Sequence, residues 1–322
     1  METESSALAG NAPINSDQVI CTLYEGDYHL GVAVLINSIV RGGFRGLFWV
    51  GYRGELPPWV AQLSRRQDGL YVIGEALLGF EKIESKSHFT QYKPEFMTSL
   101  IARGLASNYL WYFDPDITVR CAWEFFVRWV RHGICLCQEI TMGVMPSDHP
   151  IRCEWIELAE RSGWGQLTHP QERYYNGGFL GMQVAHAAFL ETWRAAMRLA
   201  NSSGVHESNL WHSDRSSTFF ATDQDALNLA VMYAKAPLST IGPEGMGFVP
   251  GGFTMYHTAG GSKPWRKKFL KSALSGNPPW KGDKHFLECA GGPIKPYSDR
   301  QLWGLRCSAK VAALIGRFYH RN

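Results

Sequence analysis

Two short stretches of the sequence, about 140 residues apart, carry side chains that could bind one divalent cation. The first is Asp114-Pro115-Asp116, which follows the apolar run Tyr-Leu-Trp-Tyr-Phe at 109–113. In an extended chain, residues two apart point the same way, and Pro115 disfavours a helical conformation at Asp114. Both carboxylates can therefore face one Mg²⁺ or Mn²⁺ ion. An isolated Asp-x-Asp tripeptide is more often a turn or a helix cap, so it needs support from elsewhere in the chain.

The second stretch is His257-Thr-Ala-Gly-Gly-Ser-Lys-Pro-Trp265. His257 offers a neutral imidazole ligand, Gly260 a backbone that can approach a phosphate, and Lys263 a cation that can reach the same phosphate. A surface turn with a satisfied histidine is the alternative, but five specified residues at fixed spacing seldom arise by accident. The two stretches together predict a three-ligand metal site with a lysine beside it.

A third segment, Thr222-Asp223-Gln224-Asp225, is predicted to open a helix. Thr222 and Asp225 have the spacing of a capping box, which predicts a structural role for Asp225. Asp223 and Gln224 then lie at the start of the helix, near the rim of a site. First-turn acids favoured by the helix dipole are the alternative interpretation.

A fourth segment, Tyr174-Tyr-Asn176-Gly177-Gly178, brings two glycines to the start of a strand. This pattern indicates a bulge or the close approach of another part of the backbone. Asn176 could bond a sugar hydroxyl, although a tight turn explains the segment nearly as well.

The elements that would position these residues alternate between strand and helix. Such alternation predicts a mostly parallel sheet flanked by helices, with ligands at the carboxyl ends of its strands. The unbroken apolar run at 109–113 is typical of a strand covered on both faces. The predicted strands are 19–23, 47–51, 70–73, 109–113, 134–139 and 178–184; the predicted helices are 28–40, 94–105, 122–130, 188–199 and 223–232.

Three further regions complete the predicted organisation. Residues 1–17 are expected to be a flexible leader, and 18–265 one catalytic domain with a nucleotide-binding half (18–116) and a sugar-binding half (117–265). Within that domain, the long segment 141–175 predicts a binding element or lid, with a short helix at 153–161. Residues 266–322 form a basic, aromatic extension that could lie on an anionic membrane surface; a packed terminal helix is the alternative.

The amino-acid composition indicates a globular protein and argues against several other classes. A chain of 322 residues that is 45% hydrophobic can bury a large core, and a net charge of +3 spread along it argues against nucleic-acid binding. Seven separated cysteines without a Cys-x-x-Cys pair are expected to be reduced and structural. The first 18 residues lack a signal-peptide pattern, and no stretch approaches the roughly 20 apolar residues of a membrane span. We therefore expect a cytoplasmic protein that could lie at the inner face of a membrane.

Together these motifs resemble the GT-A (Rossmann-like) glycosyltransferases, most closely family 8, which contains bacterial lipopolysaccharide galactosyltransferases and glycogenin. The family's nucleotide loop, Asp-x-Asp, Asn-x-Gly, Asp-Gln-Asp and His-x-x-Gly-x-x-Lys-Pro-Trp segments occur here in order between residues 19 and 265. The resemblance implies a GT-A fold and transfer of a hexose from a UDP-sugar to a glycan or glycolipid hydroxyl with retained anomeric configuration. It also implies a Mn²⁺ or Mg²⁺ cofactor and a role in polysaccharide or lipopolysaccharide biosynthesis.

The resemblance also implies roles for individual residues. The metal ligands would be Asp114, Asp116 and His257. The contacts to the nucleotide and its diphosphate would be Thr22, Glu25, Asp27, Tyr28, Lys93, Asp114, Gly260 and Lys263. The sugar contacts would be Asn176, Gly177, Asp223 and Gln224, of which Asp223 and Gln224 would be catalytic. The loop Tyr-Glu-Gly-Asp at 24–27 departs from the family's acid pair followed by Asn, which weakens the case for uracil recognition.

Several alternatives stay open at the level of sequence. An inverting enzyme would need a carboxylate base, for which Asp148, Glu154 or Glu157 in the 141–175 segment could serve. A catalytically silent nucleotide-sugar or glycan-binding protein is the rival from another class. A sugar-phosphate nucleotidyltransferase is disfavoured because the chain lacks a Gly-rich N-terminal phosphate loop. The donor sugar, the acceptor and the oligomeric state are undetermined.

Overall fold

The computed structural model describes residues 16–140, 145–204, 212 and 214–319. The strands in these residues are β1 Ser16–Glu25, β2 Leu47–Arg53, β3 Ser64–Arg65, β4 Tyr71–Ile73, β5 Ala76–Lys82, β6 Ala106–Phe113, β7 Ile117–Val119, β8 Ile134–Cys137, β9 Phe179–Gln183, β10 Leu238–Ile241 and β11 Met255–His257. The helices are α1 His29–Arg41, α2 Phe89–Ala102, α3 Trp123–Val130, α4 Pro150–Arg161, α5 Ala188–Ser202, α6 Thr222–Tyr233, α7 Phe269–Leu274, α8 Lys281–Cys289 and α9 Asp299–Phe318.

Nine of these strands form one sheet in the order β10-β8-β9-β6-β1-β2-β5-β4-β3. The central strands β6, β1, β2 and β5 run parallel, and β9 enters antiparallel between β6 and β8. The predicted fold class, a mostly parallel α/β sheet flanked by helices with a helical C-terminal segment, is confirmed.

Both faces of the sheet are covered, as the apolar strands predict. Along β1, Val19, Cys21 and Leu23 join the core under α2, α5 and α6, whereas Ile20 and Tyr24 join the core under α1 and α3. Successive side chains of a strand point to opposite faces, so an apolar residue at every position requires a layer of helices on each side. The sequence predicted neither β5 nor β10, although both pair within this sheet.

Helix α2 begins earlier than predicted, and this changes the position of Lys93. Pro94 suggested a helix start, since proline is favoured in the first turn. The helix instead starts at Phe89, where the imidazole of His88 accepts the Thr90 amide, and Pro94 lies inside it. Lys93 is therefore a buried helical residue beneath the site.

The segment predicted to be a binding element contains a full helix, α4, longer than the expected 153–161. Its Arg152 is fully buried. Nε of Arg152 donates to the Met145 carbonyl at 3.0 Å, and Nη2 donates to the Arg173 carbonyl at 2.6 Å. These bonds hold the two flanks of α4 together. Residues 141–144 lie outside the described part of the chain.

Helices α7, α8 and α9 form a third core against α1. Asn37 of α1 donates to the carbonyls of Cys289 and Ile294 at 3.0 and 2.8 Å and accepts the Ile294 amide. The C-terminal extension is thus bonded to helix α1, which covers one face of the sheet. Within the described part of the chain, each helix is too short or too polar to cross a membrane. Most of the predicted leader, residues 1–15, lies outside the described residues, and β1 already starts at Ser16.

Candidate active site

Asp114, Asp116 and His257 form a compact cluster of metal-ligand atoms. Each offers one ligand atom within 4.8 Å of the others. His257 Nε2 lies 3.2 Å from an Asp116 oxygen and 3.9 Å from an Asp114 oxygen. Two hard carboxylates and an imidazole suit Mn²⁺ or Mg²⁺, so the residues fit the cation that the sequence predicts.

A two-stranded antiparallel ladder, which the sequence did not reveal, joins the two distant stretches. Strand β7 begins directly after Asp116, and β11 ends at His257, with His257 opposite Ile117. The amide and hydroxyl of Thr258 both donate to the Asp116 carbonyl, at 3.0 and 2.8 Å. This register places the imidazole beside the second aspartate.

Glycine at position 178 leaves room for the cluster. A Cβ on Gly178 would lie 2.5 Å from His257 Cε1 and 2.9 Å from an Asp114 carboxylate oxygen. Gly178 also accepts the Asp114 amide through its carbonyl at 2.7 Å. The close backbone approach that the glycine pair suggested therefore occurs at the predicted metal ligands.

Two buried lysines neutralise the cluster. Lys263 Nζ lies 2.5 Å from Asp116 Oδ2, and Lys93 Nζ lies 3.1 Å from Asp114 Oδ1 and 3.4 Å from Asp223 Oδ2. Burial alone would lower the pKa of both ammonium groups, but the facing carboxylates raise it above the usual value. For Asp116, burial raises the pKa, but the His257 imidazole and the Lys263 ammonium outweigh it, so the pKa falls below the usual range.

The start of α6 places the predicted sugar-binding residues beside the lysines. Gln224 Oε1 accepts the Gly177 amide at 2.9 Å, and Lys93 Nζ donates to the Gly177 carbonyl at 2.9 Å. Burial raises the pKa of Asp223, and Lys93 only partly offsets this effect. Asn176 accepts the Gly178 amide through Oδ1.

The predicted capping box at the start of α6 is wrong. Ala221 is the N-cap residue and Thr222 is the first helical residue. Asp225 is nonetheless structural: it accepts the Ala221 amide at 2.7 Å and the Tyr174 hydroxyl at 2.6 Å. The Asp225 carboxylate bonds the Ala221 amide in place of the Thr222 amide, because the helix begins one residue earlier than the sequence suggests.

Of the four residues predicted in the nucleotide loop, two line the cavity of the metal cluster and two do not. Tyr28 and Glu25 line the same cavity as the metal cluster, with Glu25 bound to Arg53 at 2.7 Å. Thr22 is buried and does not line this cavity. Asp27 does not line it either and forms an ion pair with Arg266. Nucleotide contacts by Thr22 and Asp27 stay predictions.

One cavity of about 680 Å³ contains most of the predicted site. Residues of the metal cluster, the lysines and the segments predicted to bind sugar all line it: Asp114, Asp116, His257, Gly260, Lys263, Lys93, Asn176, Gly177, Asp223 and Gln224.

The sequence analysis did not identify Glu139, His88 and Arg215, which also line this cavity. Glu139 accepts the Asn176 amide. These three had no motif around them, and only the folding of distant segments brings them here.

No family model matches the sequence, and no curated protein matches it. Among solved structures, the bifunctional glycosyltransferase WbbM is similar over 92% of this chain, with 17% identity and a TM-score of 0.53. Galactosyltransferase LgtC, solved with donor and acceptor sugar analogues, is similar over 89%, with 13% identity and a TM-score of 0.51. The apo glycosyltransferase GlyE of Streptococcus pneumoniae TIGR4 is similar over 92%, with 13% identity and a TM-score of 0.52.

The chain spans 53% of WbbM, 64% of GlyE and 99% of LgtC. At this level of identity the similarity establishes the fold. The chain has the GT-A fold found in these glycosyltransferases.

Proposed function

We propose that the chain is a metal-dependent glycosyltransferase that moves a hexose from a UDP-sugar to a hydroxyl of a glycan or glycolipid, with retention of configuration. The observation that carries the proposal is that Asp114, Asp116, His257 and Lys263 share one cavity with Asp223 and Gln224. Candidate metal ligands beside a lysine at the carboxyl end of a parallel strand fit a nucleoside diphosphate.

The chemical problem is the departure of UDP from the anomeric carbon, which builds negative charge on the leaving oxygen. Asp114, Asp116 and His257 would hold Mn²⁺ or Mg²⁺, which when bound supplies positive charge for the diphosphate. Lys263 adds a further positive charge on the same side. Gly260, with a φ of +103° and open space at its Cβ position, leaves the backbone free to approach a phosphate oxygen.

The sugar side of the cavity holds polar groups in fixed positions. Gln224 is held by the Gly177 amide and Asp223 by Lys93. In the retaining reaction that we favour, the acceptor oxygen bonds to the anomeric carbon on the face from which the phosphate oxygen departs, and the released diphosphate takes the hydroxyl proton. A double displacement would instead need a carboxylate nucleophile, for which Asp223 is the candidate.

The rival mechanism, inversion, requires a carboxylate base at the acceptor hydroxyl. Asp148, Glu154 and Glu157 do not line the cavity, and Glu154 accepts the Thr218 hydroxyl at 2.5 Å. Glu139 does line it and would be the base in an inverting enzyme. NMR of the product anomer distinguishes the two outcomes.

We also infer that the C-terminal extension contacts an anionic membrane surface. Residues 264–322 carry twelve Lys and Arg against three Asp and Glu. On α9, Trp303, Val311, Leu314 and Phe318 share one exposed face, opposite the buried Ala309 and Ala312. Exposed apolar and basic groups on one helix suit the interface of an anionic bilayer.

Nucleotide binding tests the proposal directly. UDP and a panel of UDP-hexoses should raise the melting temperature in the presence of Mn²⁺ and much less with EDTA, because a ligand of the folded state alone stabilises it. Asp116→Ala and His257→Ala should abolish the Mn²⁺-dependent shift. Glu124→Ala, which removes an exposed acid of α3, is the matched control.

Two results would count against the proposal. An unchanged Mn²⁺-dependent shift in both Asp116→Ala and His257→Ala would remove the metal assignment. Tight UDP binding without release of UDP from any donor, across a panel of glycan acceptors, would favour a binding protein without catalysis.

A further inference from the structure

The cavity holds an exposed arginine, Arg215, in addition to the two buried lysines. The cavity is lined by Lys93, Lys263 and Arg215. Each lysine is ion-paired with an aspartate of the cluster or of α6. Among the residues that the structure describes, no carboxylate forms an ion pair with the Arg215 guanidinium. The guanidinium carbon lies over the Phe220 ring, 5.6 Å from the ring centroid.

The loop that carries Arg215 is closed by one backbone hydrogen bond and attached to helix α4 through Thr218 and Phe219. The His212 amide donates to the Phe220 carbonyl at 2.8 Å and closes the loop. Trp155 of α4 donates to the Thr218 carbonyl at 2.6 Å and stacks on Phe219. The loop therefore presents Arg215 from a fixed base, joined to the helix α4 that the sequence predicted to belong to a binding element.

The nearest acid along the chain is engaged elsewhere. Asp214 Oδ1 accepts both the amide and the hydroxyl of Ser216 at 2.8 Å, and these bonds lower the Asp214 pKa below its usual value. The turn is completed by the Ser217 amide, which donates to the Asp214 carbonyl at 3.2 Å. Asp214 thus stabilises the turn, and no described carboxylate occupies the hydrogen-bonding edge of the neighbouring guanidinium.

The position of Arg215 indicates which ligand it meets. Asn176, Asp223 and Glu139 are buried at the floor of the cavity, whereas Arg215 is exposed. A donor sugar would occupy the floor beside the metal cluster, so the group between that sugar and solvent is the acceptor. Guanidinium groups bind carboxylates and phosphates through two parallel hydrogen bonds, and Phe220 offers a surface that keeps the guanidinium plane oriented.

We propose that the acceptor is an acidic glycan and that Arg215 binds its carboxylate or phosphate group. The inference rests on the proposed glycosyltransferase function and names the substrate class of the same site. In the proposed reaction, Lys263 and the candidate metal ligands serve the diphosphate of the donor, which leaves Arg215 for the acceptor.

The test measures binding of matched neutral and acidic sugars to the full chain. Saturation-transfer NMR would compare methyl glucoside with methyl glucuronide, and glucose with glucose 6-phosphate. UDP and Mn²⁺ are present to fill the diphosphate site. Wild type should bind at least one acidic sugar about tenfold more tightly than its neutral partner, and salt should reduce that preference. The pair that shows the larger difference identifies carboxylate or phosphate as the recognised group.

Three variants assign the preference to Arg215. Arg215→Ala should remove it, Arg215→Lys should keep part of it, and Arg128→Ala, which removes an exposed arginine of α3, should leave it unchanged. The proposal fails if wild type binds UDP but shows no preference, or if Arg215→Ala keeps the preference. If wild type does not bind UDP, the proposed function fails, whereas an Arg215-dependent preference would still establish the anion site.

Discussion

At the scale of single residues, the site is organised by matched buried charges. Lys93 and Lys263 each face an aspartate of the metal cluster, and both lysines are buried. An unpaired buried charge is costly, so each pair depends on both partners. Lys93 also bonds Asp223 and the Gly177 carbonyl, whereas Lys263 bonds only Asp116 and the Thr258 carbonyl among the described residues. Lys263 is therefore better placed to turn from its aspartate to a phosphate.

Replacing Lys263 by Ala should weaken UDP binding in the presence of Mn²⁺ by about 10- to 100-fold, since a hydrogen bond between charged groups contributes about 1.5–3 kcal/mol. Calorimetric titration with UDP measures the change. Lys263→Arg should recover part of the affinity, and Lys271→Ala, an exposed lysine of α7, should have no effect. Wild-type affinity in Lys263→Ala would show that this lysine only balances the charge of Asp116.

Asp225 gives a prediction for the pH dependence of stability. Burial raises its pKa from 3.8 to about 7. The folded state therefore holds this proton more tightly than the unfolded state, so the free energy of unfolding should fall as pH rises from about 4 to about 7 and then level off. The contribution is on the order of a few kcal/mol, at 1.36 kcal/mol per pKa unit.

Urea unfolding of wild type and Asp225→Asn at pH 5, 6, 7 and 8 isolates this effect. The variant should lose the Asp225 part of the slope, so its stability relative to wild type should increase with pH. Its amide oxygen can still accept one of the two bonds from Ala221 and Tyr174. Parallel pH curves for the two proteins would mean that Asp225 keeps an ordinary pKa.

At the scale of elements, the proposed metal site depends on where strands start and stop. Asp116 immediately precedes β7, His257 ends β11, and Gly178 immediately precedes β9. Pairing of β7 with β11 sets the distance between Asp116 and His257, and the Gly178 backbone fills the space beneath them. A one-residue slip in the β7–β11 register would turn the imidazole to the other face.

The two adjacent glycines at 177 and 178 differ in how much room each has for a side chain. Gly178→Ala should lower Mn²⁺ affinity at least about tenfold, because the new Cβ would collide with His257 and Asp114. Gly177→Ala is the control, since its Cβ would lie 3.4 Å from the nearest atom, an ordinary contact. Titration with Mn²⁺ in the presence of UDP distinguishes them. Equal affinities in the two variants would show that the site relaxes around the methyl group.

At the scale of the whole molecule, positive charge is concentrated in the C-terminal segment and is not spread along the chain as the small net charge suggested. The net charge of the chain is only +3, yet the segment after residue 263 is strongly basic. A groove of about 750 Å³ between α8 and α9 has Lys284, Lys310 and Arg317 along it, beside the exposed apolar face of α9. The surface proposed to meet a membrane is therefore both apolar and positively charged.

Vesicle sedimentation tests this surface. Wild type should bind vesicles that contain 30% phosphatidylglycerol, and the double variant Lys310→Glu with Arg317→Glu should bind at least about tenfold less, since each basic residue near an anionic surface contributes about 1 kcal/mol. Arg128→Glu with Lys235→Glu makes the same change of net charge outside the extension. Equal loss in both double variants would indicate an effect of total charge alone.

The sequence by itself determined the fold class and the types of residue at the proposed metal site. An apolar strand ending in Asp114-Pro-Asp116, and a histidine, glycine and lysine at fixed spacing, are local patterns that backbone geometry and side-chain chemistry make readable. The tertiary structure alone decided that β7 and β11 pair, that Lys93 lies inside α2, and that Glu139 and Arg215 enter the cavity. These features depend on contacts between residues far apart in the chain. The local sequence around any one residue does not indicate such contacts.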